Sequence, residues 1–160
     1  MRKEWYILEI LILNFGTPKF TFDAFGPLLG SKLEEIFYND QRVTVVGTVD
    51  NPICKQEDIE YSILLEQYAI NHGALVICTD AALGPAGTNG QLFWRNGQLK
   101  PGHVTGKTTQ YMGHWVMQYS IGNGSALIPT NEELATAVDE AVSTLQKFIR
   151  EHLLLTYSML

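Results

Sequence analysis

Two aspartates, Asp23 and Asp80, combine a side-chain type and a placement that could do chemistry. Each follows an apolar run that predicts a buried strand, Leu11–Phe15 before the first and Ala74–Thr79 before the second. In open α/β sheets, ligands bind beyond the carboxyl ends of the strands. Two carboxyl groups that share such a crevice cannot both ionise freely. One tends to hold a proton while the other acts as a base or binds a cation.

Each aspartate also has a purely structural interpretation. Asp23 precedes a predicted helix start and could cap its free N–H groups. Asp80 lies at a predicted strand end and could organise its turn through an Asx hydrogen bond. If the paired-acid interpretation is right, one carboxyl should titrate well above its usual range while the other stays low. Spacing and composition alone leave both interpretations open.

Other side chains that could do chemistry occur singly. His103 and His114 lie in a glycine-rich segment, where a loop imidazole can be a ligand or a proton shuttle. Lys100, in the same segment, could orient a substrate carboxylate or carbonyl. For all three the alternative is a solvated surface side chain. Cys54 and Cys78 show neither CxxC spacing nor pairing with histidine at metal-ligand intervals, so they predict neither a zinc site nor a disulfide.

A mainly parallel sheet has to position these residues. The predicted strands cover residues 9–15, 42–48 and 74–79. Helical patterns begin near Pro27 and Glu57, between these strands. Such alternation implies βαβ crossovers and an α/β protein of three layers, α/β/α, with helices on both faces of the sheet. If the first strand lies between the other two, Asp23 and Asp80 follow neighbouring strands about 5 Å apart.

The second half of the sequence is rich in glycine. From Gly84 onward, glycines interrupt the chain every few residues, which predicts a long irregular loop with a hairpin-like pair around Gln91–Arg95. A further strand is predicted over Trp115–Ile121. Thr130 and Glu133 form a capping-box pattern that opens a long last helix.

Length and composition indicate one globular domain over residues 1–160, with 46% hydrophobic residues. The formal charge is −6, and the cations are scattered, so we expect no nucleic-acid partner. The apolar stretch Trp5–Phe15 is interrupted by Glu9 and is too short to span a bilayer, so we expect no membrane partner and a cytoplasmic protein. The apolar Leu153–Leu155 segment leaves a homo-oligomer open.

Four short motifs occur in order between about residue 10 and residue 124. They are Gly16-Thr17 with Thr21-Phe22-Asp23-Ala24-Phe25-Gly26-Pro27-Leu28, then Val46-Gly47-Thr48-Val49-Asp50-Asn51-Pro52, Thr79-Asp80-Ala81-Ala82-Leu83-Gly84 and Gly97-Gln98-Leu99-Lys100-Pro101-Gly102. This series resembles the YyaC-like spore proteases, relatives of the germination protease. The resemblance implies a phosphorylase/hydrolase-like fold and a sporulation-linked peptidase that acts on a protein or peptide. It also implies that Asp23 and Asp80 are its catalytic pair.

The same two positions are similar to metal-ligand positions of the more distant hydrogenase-maturation peptidases. There, two acids and a later histidine bind nickel, which implies a possible divalent metal at Asp23, Asp80 and His103. The leading interpretation nevertheless requires no cofactor, and it assigns Lys100 and His114 to substrate binding.

Three departures from the family pattern favour a different class of function. Pro18 stands where the family usually has an acid, Phe22 where it usually has glycine, and His114 where it usually has aspartate. These changes favour a non-catalytic module that holds a peptide or small ligand on the same fold. A peptidase with paired acids, such a binding module and a metal-dependent maturation peptidase are therefore the three hypotheses.

Overall fold

One five-stranded sheet organises the computed structural model, which describes residues 8–101, 110–123 and 128–158. The strands are β1 (Ile10–Asn14), β2 (Val43–Val46), β3 (Leu75–Ala82), β4 (Leu92–Asn96) and β5 (Trp115–Ser120). The helices are α1 (Phe25–Phe37), α2 (Gln56–Asn71) and α3 (Asn131–Ser158). A 3₁₀ turn, Thr21–Asp23, lies between β1 and α1.

The sheet has the order β2-β1-β3-β5-β4, and β1 is parallel to both of its neighbours. Leu11, for example, pairs with Thr44 on one side and Val76 on the other. The predicted position of the first strand between the second and third is confirmed. It follows from the composition of β1, four apolar residues and one asparagine, all of them buried, which could not lie at a solvated edge.

Two predictions about strands are wrong. The third strand does not end at Thr79 but continues to Ala82, because β5 provides pairing partners for Asp80 and the two alanines after it. Residues around Gln91–Arg95 do not form a hairpin-like pair. They form the single strand β4, which pairs antiparallel with β5 and has Leu92 opposite Tyr119. In both cases the pairing partner lies far along the chain, so local pattern could not reveal it.

Helices cover both faces of the sheet, which confirms the predicted three-layer α/β/α arrangement. Alternate residues of a strand point to opposite faces. Ile10 and Ile12 pack in one core with α1 and α3. Leu11 and Leu13 pack in a second core with α2. The sheet is therefore the middle layer.

The long last helix begins as its sequence predicts. The N–H of Thr130 donates to Glu133 Oε1 at 3.1 Å, and the N–H of Glu133 donates to Thr130 Oγ1 at 3.1 Å. This capping box satisfies two N–H groups at the helix start. Within the part of the chain that the structure describes, no helix has both the length and the apolar character needed to cross a bilayer.

Helix α1 approaches the carboxyl end of β2 without any side chain between them. A Cβ atom on Gly30 would fall on the carbonyl oxygen of Gly47 and would lie 3.0 Å from Asn14 Nδ2. Gly47 itself has φ +91°, a conformation that side chains disfavour. These two glycines let α1 lie directly against the edge where the candidate acids follow β1 and β3.

We predict that Gly30→Ala lowers the free energy of unfolding by about 1–3 kcal/mol, the usual effect of overpacking. The clash is with backbone and outweighs the gain of up to about 1 kcal/mol that alanine brings to a helix. Urea denaturation measures this difference. Lys32→Ala, on the exposed side of the same helix, is the control and should change stability by less than about 0.5 kcal/mol. A Gly30→Ala protein as stable as the parent would contradict the close approach.

Candidate functional site

Asp23 is held in a turn that is locked against the end of β1. The N–H of Asp23 donates to the carbonyl of Phe20 at 3.0 Å and closes the 3₁₀ turn. Its Oδ2 accepts the N–H of Thr17 at 3.1 Å. Gly16, with φ +134°, lies so close that a Cβ atom there would overlap the carbonyl oxygen of Asp23. The main chain thus determines where this carboxyl group sits.

Asp80 lies on the strand next to β1, near the carboxyl end of that strand. Because side chains alternate along β3, Asp80 shares the α2 face of the sheet with Val76 and Cys78. The residue keeps partial solvent access at this edge of the sheet. The 3₁₀ turn that ends in Asp23 contacts this strand. The two acids therefore lie at the same edge of the sheet.

The two carboxyl groups interact electrostatically. Burial raises the pKa of Asp80 well above its ordinary value, the negative charge of Asp23 raises it further, and a hydrogen bond from the N–H of Ala81 opposes both. Burial also raises the pKa of Asp23, against a hydrogen bond from the N–H of Thr17. The expectation that the second acid would stay low is therefore wrong. One N–H donor does not compensate the loss of water around that carboxyl.

Neither structural alternative describes what these acids do. The N-cap of α1 is Ala24, without a side-chain cap, and Asp23 instead accepts from Thr17 in its own loop. Asp80 lies inside a strand that continues to Ala82, not in a turn at its end. Its carboxyl accepts the N–H of Ala81, the next residue of the same strand.

His114 and Lys100, predicted to bind substrate, are not brought to the two acids. The ring Nδ1 of His114 accepts the N–H of Val76 at 2.9 Å, at the amino end of β3. Val76 is four residues before Asp80, about 13 Å away along a strand. The ammonium of Lys100 lies 5.2 Å from the ring centre of Tyr111. Its neighbour Leu99 bridges to Met112, which precedes β5, so Lys100 is also placed toward the amino edge.

His103, the third residue of the predicted metal set, lies outside the described residues. Among residues 8–101, 110–123 and 128–158, no group of three or more His, Cys, Asp or Glu side chains is placed to hold a metal ion. The described part of the site thus offers two carboxylates, Asp23 and Asp80, and a third donor for a metal would have to come from elsewhere.

A buried amide beneath the acids was missed by the sequence analysis. Asn14 is fully buried and donates from Nδ2 to the carbonyl of Val46 at 3.0 Å. Its Oδ1 accepts the hydroxyl of Thr79 at 2.6 Å. One side chain thus joins β1, β2 and β3 next to Asp80. The signal that could have found it is the single amide in the apolar run Leu11–Phe15.

A second buried group, Glu66, also went unnoticed. It lies on α2 and accepts the N–H of Gly113 at 2.7 Å.

Burial raises the pKa of Cys78 well above its usual range, and the charges of Glu66 and Asp80 raise it further. The thiol of Cys78 is fully buried and protonated, so it is no nucleophile and packs as a small apolar side chain, as its sequence context predicts.

A cavity of about 640 Å³ is lined by Thr17, but neither Asp23 nor Asp80 forms part of its wall. Its walls are the loop that follows β1, including Thr17 and Lys19, and the segment that leads into α2, including Cys54 and Asp58. Thr17 lines this cavity and donates to the Asp23 carboxyl, and the charge of Asp23 reaches Cys54. Space for a ligand therefore exists beside Thr17, whose main-chain N–H binds the Asp23 carboxyl.

The order of the strands and the three layers define the fold of the hydrogenase maturation proteases. The crystal structure of the [NiFe] hydrogenase maturation protease HycI from Thermococcus kodakarensis KOD1 has a TM-score of 0.58 to this chain and 14% identity. The match covers 89% of this chain and 92% of that one. HybD from Thermococcus kodakarensis reaches a TM-score of 0.49 at 18% identity, over 88% of this chain and 99% of HybD. At such identities the likeness concerns the fold alone.

The chain belongs to the DUF1256 family of proteins of unknown function, whose pattern matches residues 3–124. The uncharacterized protein YyaC of Bacillus subtilis (strain 168) is 32% identical over 95 residues, which are 58% of this chain and 43% of that protein. The chain thus spans less than half the length of this relative. The resemblance to the YyaC-like family, and through the fold to the maturation peptidases, is confirmed.

We predict that the side chains of Asn14 and Thr79 are energetically coupled through their hydrogen bond. Thr79→Val and Asn14→Leu each leave a buried polar partner unsatisfied and should each cost about 1–3 kcal/mol of unfolding free energy. The double variant should cost less than the sum, with a coupling of about 0.5–3 kcal/mol. Denaturant unfolding of all four proteins completes the cycle. Strict additivity would show that the two side chains act independently, and Thr79→Val alone remains informative if the Asn14 variant does not fold.

We predict that Asp80→Asn stabilises the protein at neutral pH. The folded pKa of Asp80 is raised above its ordinary value of 3.8, so folding favours the neutral form. This contribution to stability is fully present below 3.8 and is lost as the pH rises through the folded pKa. Asn keeps the neutral form at every pH. The melting temperature of Asp80→Asn should therefore exceed that of the parent at neutral pH, and the difference should vanish near pH 3.8.

Two further variants test the pH dependence. Asp23→Asn should shift stability in the same direction by a smaller amount, because the pKa of Asp23 is raised less. Asp139→Asn, on the exposed side of α3, should leave the melting temperature unchanged. An Asp80→Asn protein less stable than the parent at neutral pH would show that the ionised carboxylate makes favourable contacts.

Proposed function

We propose that the chain is a peptidase of the germination-protease type, in which Asp23 and Asp80 act together on a peptide carbonyl. The observation that carries this proposal is the raised pKa of Asp80, to which the charge of Asp23 contributes. Pairs of acids whose pKa values differ are typical of sites that need one proton donor and one base. The family membership and the maturation-protease fold agree with this assignment.

The two acids have different roles in the proposed hydrolysis. Asp80, whose pKa is raised more strongly, is the proton donor, while Asp23 is the base. Asp23 takes a proton from a water molecule whose oxygen attacks the carbonyl carbon of the peptide bond. The proton of Asp80 passes to the amide nitrogen, the carbon–nitrogen bond breaks, and the products are a carboxylic acid and an amine. The atoms balance with water as the only co-reactant.

The site's position supports a polypeptide as the substrate. The acids lie at the carboxyl edge of the sheet, and the cavity lined by Thr17 lies between the loop after β1 and the segment that leads into α2. A chain that crosses the acids can extend into this space. The metal-dependent alternative needs His103 or another donor beside the two carboxylates, and metal analysis of the purified protein tests it.

We predict that Asp23→Asn and Asp80→Asn each reduce peptide cleavage at least about 100-fold, the usual contribution of a general acid or base. Asn keeps the size and capping ability of Asp but neither takes up nor releases a proton in this range. The assay digests a proteome-derived peptide library and identifies new termini by mass spectrometry. Asp139→Asn is the matched surface control and should cleave like the parent.

The results separate the hypotheses. Loss of cleavage in both site variants with stability retained supports the pair. Undiminished cleavage in either variant removes that residue from the mechanism. If the parent protein itself cleaves no peptide in the library, the hydrolytic proposal is wrong, and the non-catalytic binding module on the same fold takes its place.

A further inference from the structure

Two phenylalanine rings are exposed in the turn that carries Asp23. Phe20 is 54% exposed and Phe22 is 43% exposed. Their rings are stacked, with centroids 5.3 Å apart and planes 13° from parallel. Together they form a small flat apolar surface, which we call the Phe platform. Water around such rings is unfavourable, since burying one phenylalanine side chain contributes about 1.5–3 kcal/mol.

A third phenylalanine close to this turn is buried, in contrast to these two exposed rings. Phe25, two residues after Asp23, points into the core, is fully buried and stacks on Tyr119 with centroids 5.3 Å apart. The turn therefore directs one phenylalanine inward and leaves two outward. Because the main chain of this turn is locked by its contacts with Phe20, Thr17 and Gly16, the platform has a defined place relative to the Asp23 carboxyl.

The other acid also has an apolar neighbour at the same edge. Leu83 directly follows the last residue of β3 and is 58% exposed. It stands three residues beyond Asp80, as Phe20 and Phe22 stand three residues and one residue before Asp23. Exposed apolar side chains thus lie within three residues of each candidate acid along the chain.

The size of the Phe platform indicates what can cover it. An aromatic side chain buries at most about 150–250 Å². A stable interface between two protein molecules needs about 800 Å² on each partner. Two half-exposed rings are therefore too small for a dimer interface of their own, but they match one or two apolar side chains of an extended peptide.

We propose that Phe20 and Phe22 bind a bulky apolar side chain of the peptide substrate close to the bond that is cut, and so determine which peptides are used. This inference rests on the proposed peptidase function, which it deepens by naming the substrate class: polypeptides with Leu, Ile, Met, Phe or Trp next to the cleaved bond. A side chain seated on the platform brings its own main chain to the adjacent carboxyl of Asp23. Binding and orientation thereby come from the same turn.

The test separates binding from cleavage. The full chain with Asp80→Asn is used to select binders from a random-peptide library displayed on messenger RNA. We expect bulky apolar residues at one position to be enriched about tenfold, which corresponds to about 1.4 kcal/mol. Adding Phe20→Ser and Phe22→Ser to that protein should reduce this enrichment to less than about twofold. Tyr38→Ser, which removes an aromatic ring that is 80% exposed at the end of α1, should leave it unchanged.

Three outcomes are distinguishable. If the apolar preference appears and depends on the two phenylalanines while the Asp80-intact parent cleaves nothing, the proposed hydrolysis fails and the platform stands as a binding site. If the parent cleaves peptides without an apolar preference, or if Phe20→Ser and Phe22→Ser leave the preference intact, the platform inference is wrong. It is also wrong if sedimentation shows that these two substitutions turn a dimer into a monomer, because the rings then contact a second copy.

Discussion

Toward the carboxyl edge of the sheet, the amide of Asn14 joins the ends of β1 and β2 to the middle of β3 with two hydrogen bonds. It donates to β2 at Val46 and accepts from β3 at Thr79. An unpaired amide at a fully buried position would cost about 1–3 kcal/mol, so both partners are required. Everything that follows these strands, including the turn with Asp23, starts from positions that this amide determines. The absence of side chains at Gly30 and Gly47 completes the arrangement by letting α1 lie against it.

The two acids at this edge lower the stability of the folded protein. Burial disfavours the ionised forms of Asp23 and Asp80, and each acid keeps one main-chain N–H donor that limits this cost. A surface aspartate would be well solvated and would affect the pKa of its neighbour less. The exposed phenylalanines next to Asp23 add a second unfavourable feature to the same turn. Unfavourable features that collect at one place are typical of functional sites, because elsewhere selection removes them.

The fold is shared more widely than the sequence. At 14% identity, the maturation protease HycI has the same layers over most of its length, whereas the clear sequence relationship is to the DUF1256 family. The buried apolar run of β1 and the apolar sides of α1, α2 and α3 specify these layers, and many sequences can satisfy such a pattern. The chemistry depends on far fewer residues, which is why the shared fold says little about the reaction.

The amino-acid sequence by itself determined the α/β/α class, the place of β1 between β2 and β3, the capping box of α3 and the two acids as a candidate pair. These follow from local periodicity, from capping patterns and from the rule that sites lie at carboxyl ends of parallel strands. Only the tertiary structure decided that Asp80 lies within a strand, that Asn14 underlies it, and that His114 and Lys100 lie toward the opposite edge. Pairing of β3 with β1 and with β5, together with the bridge between Leu99 and Met112, sets these positions. Such contacts join residues that are distant along the chain, so no local pattern contains them.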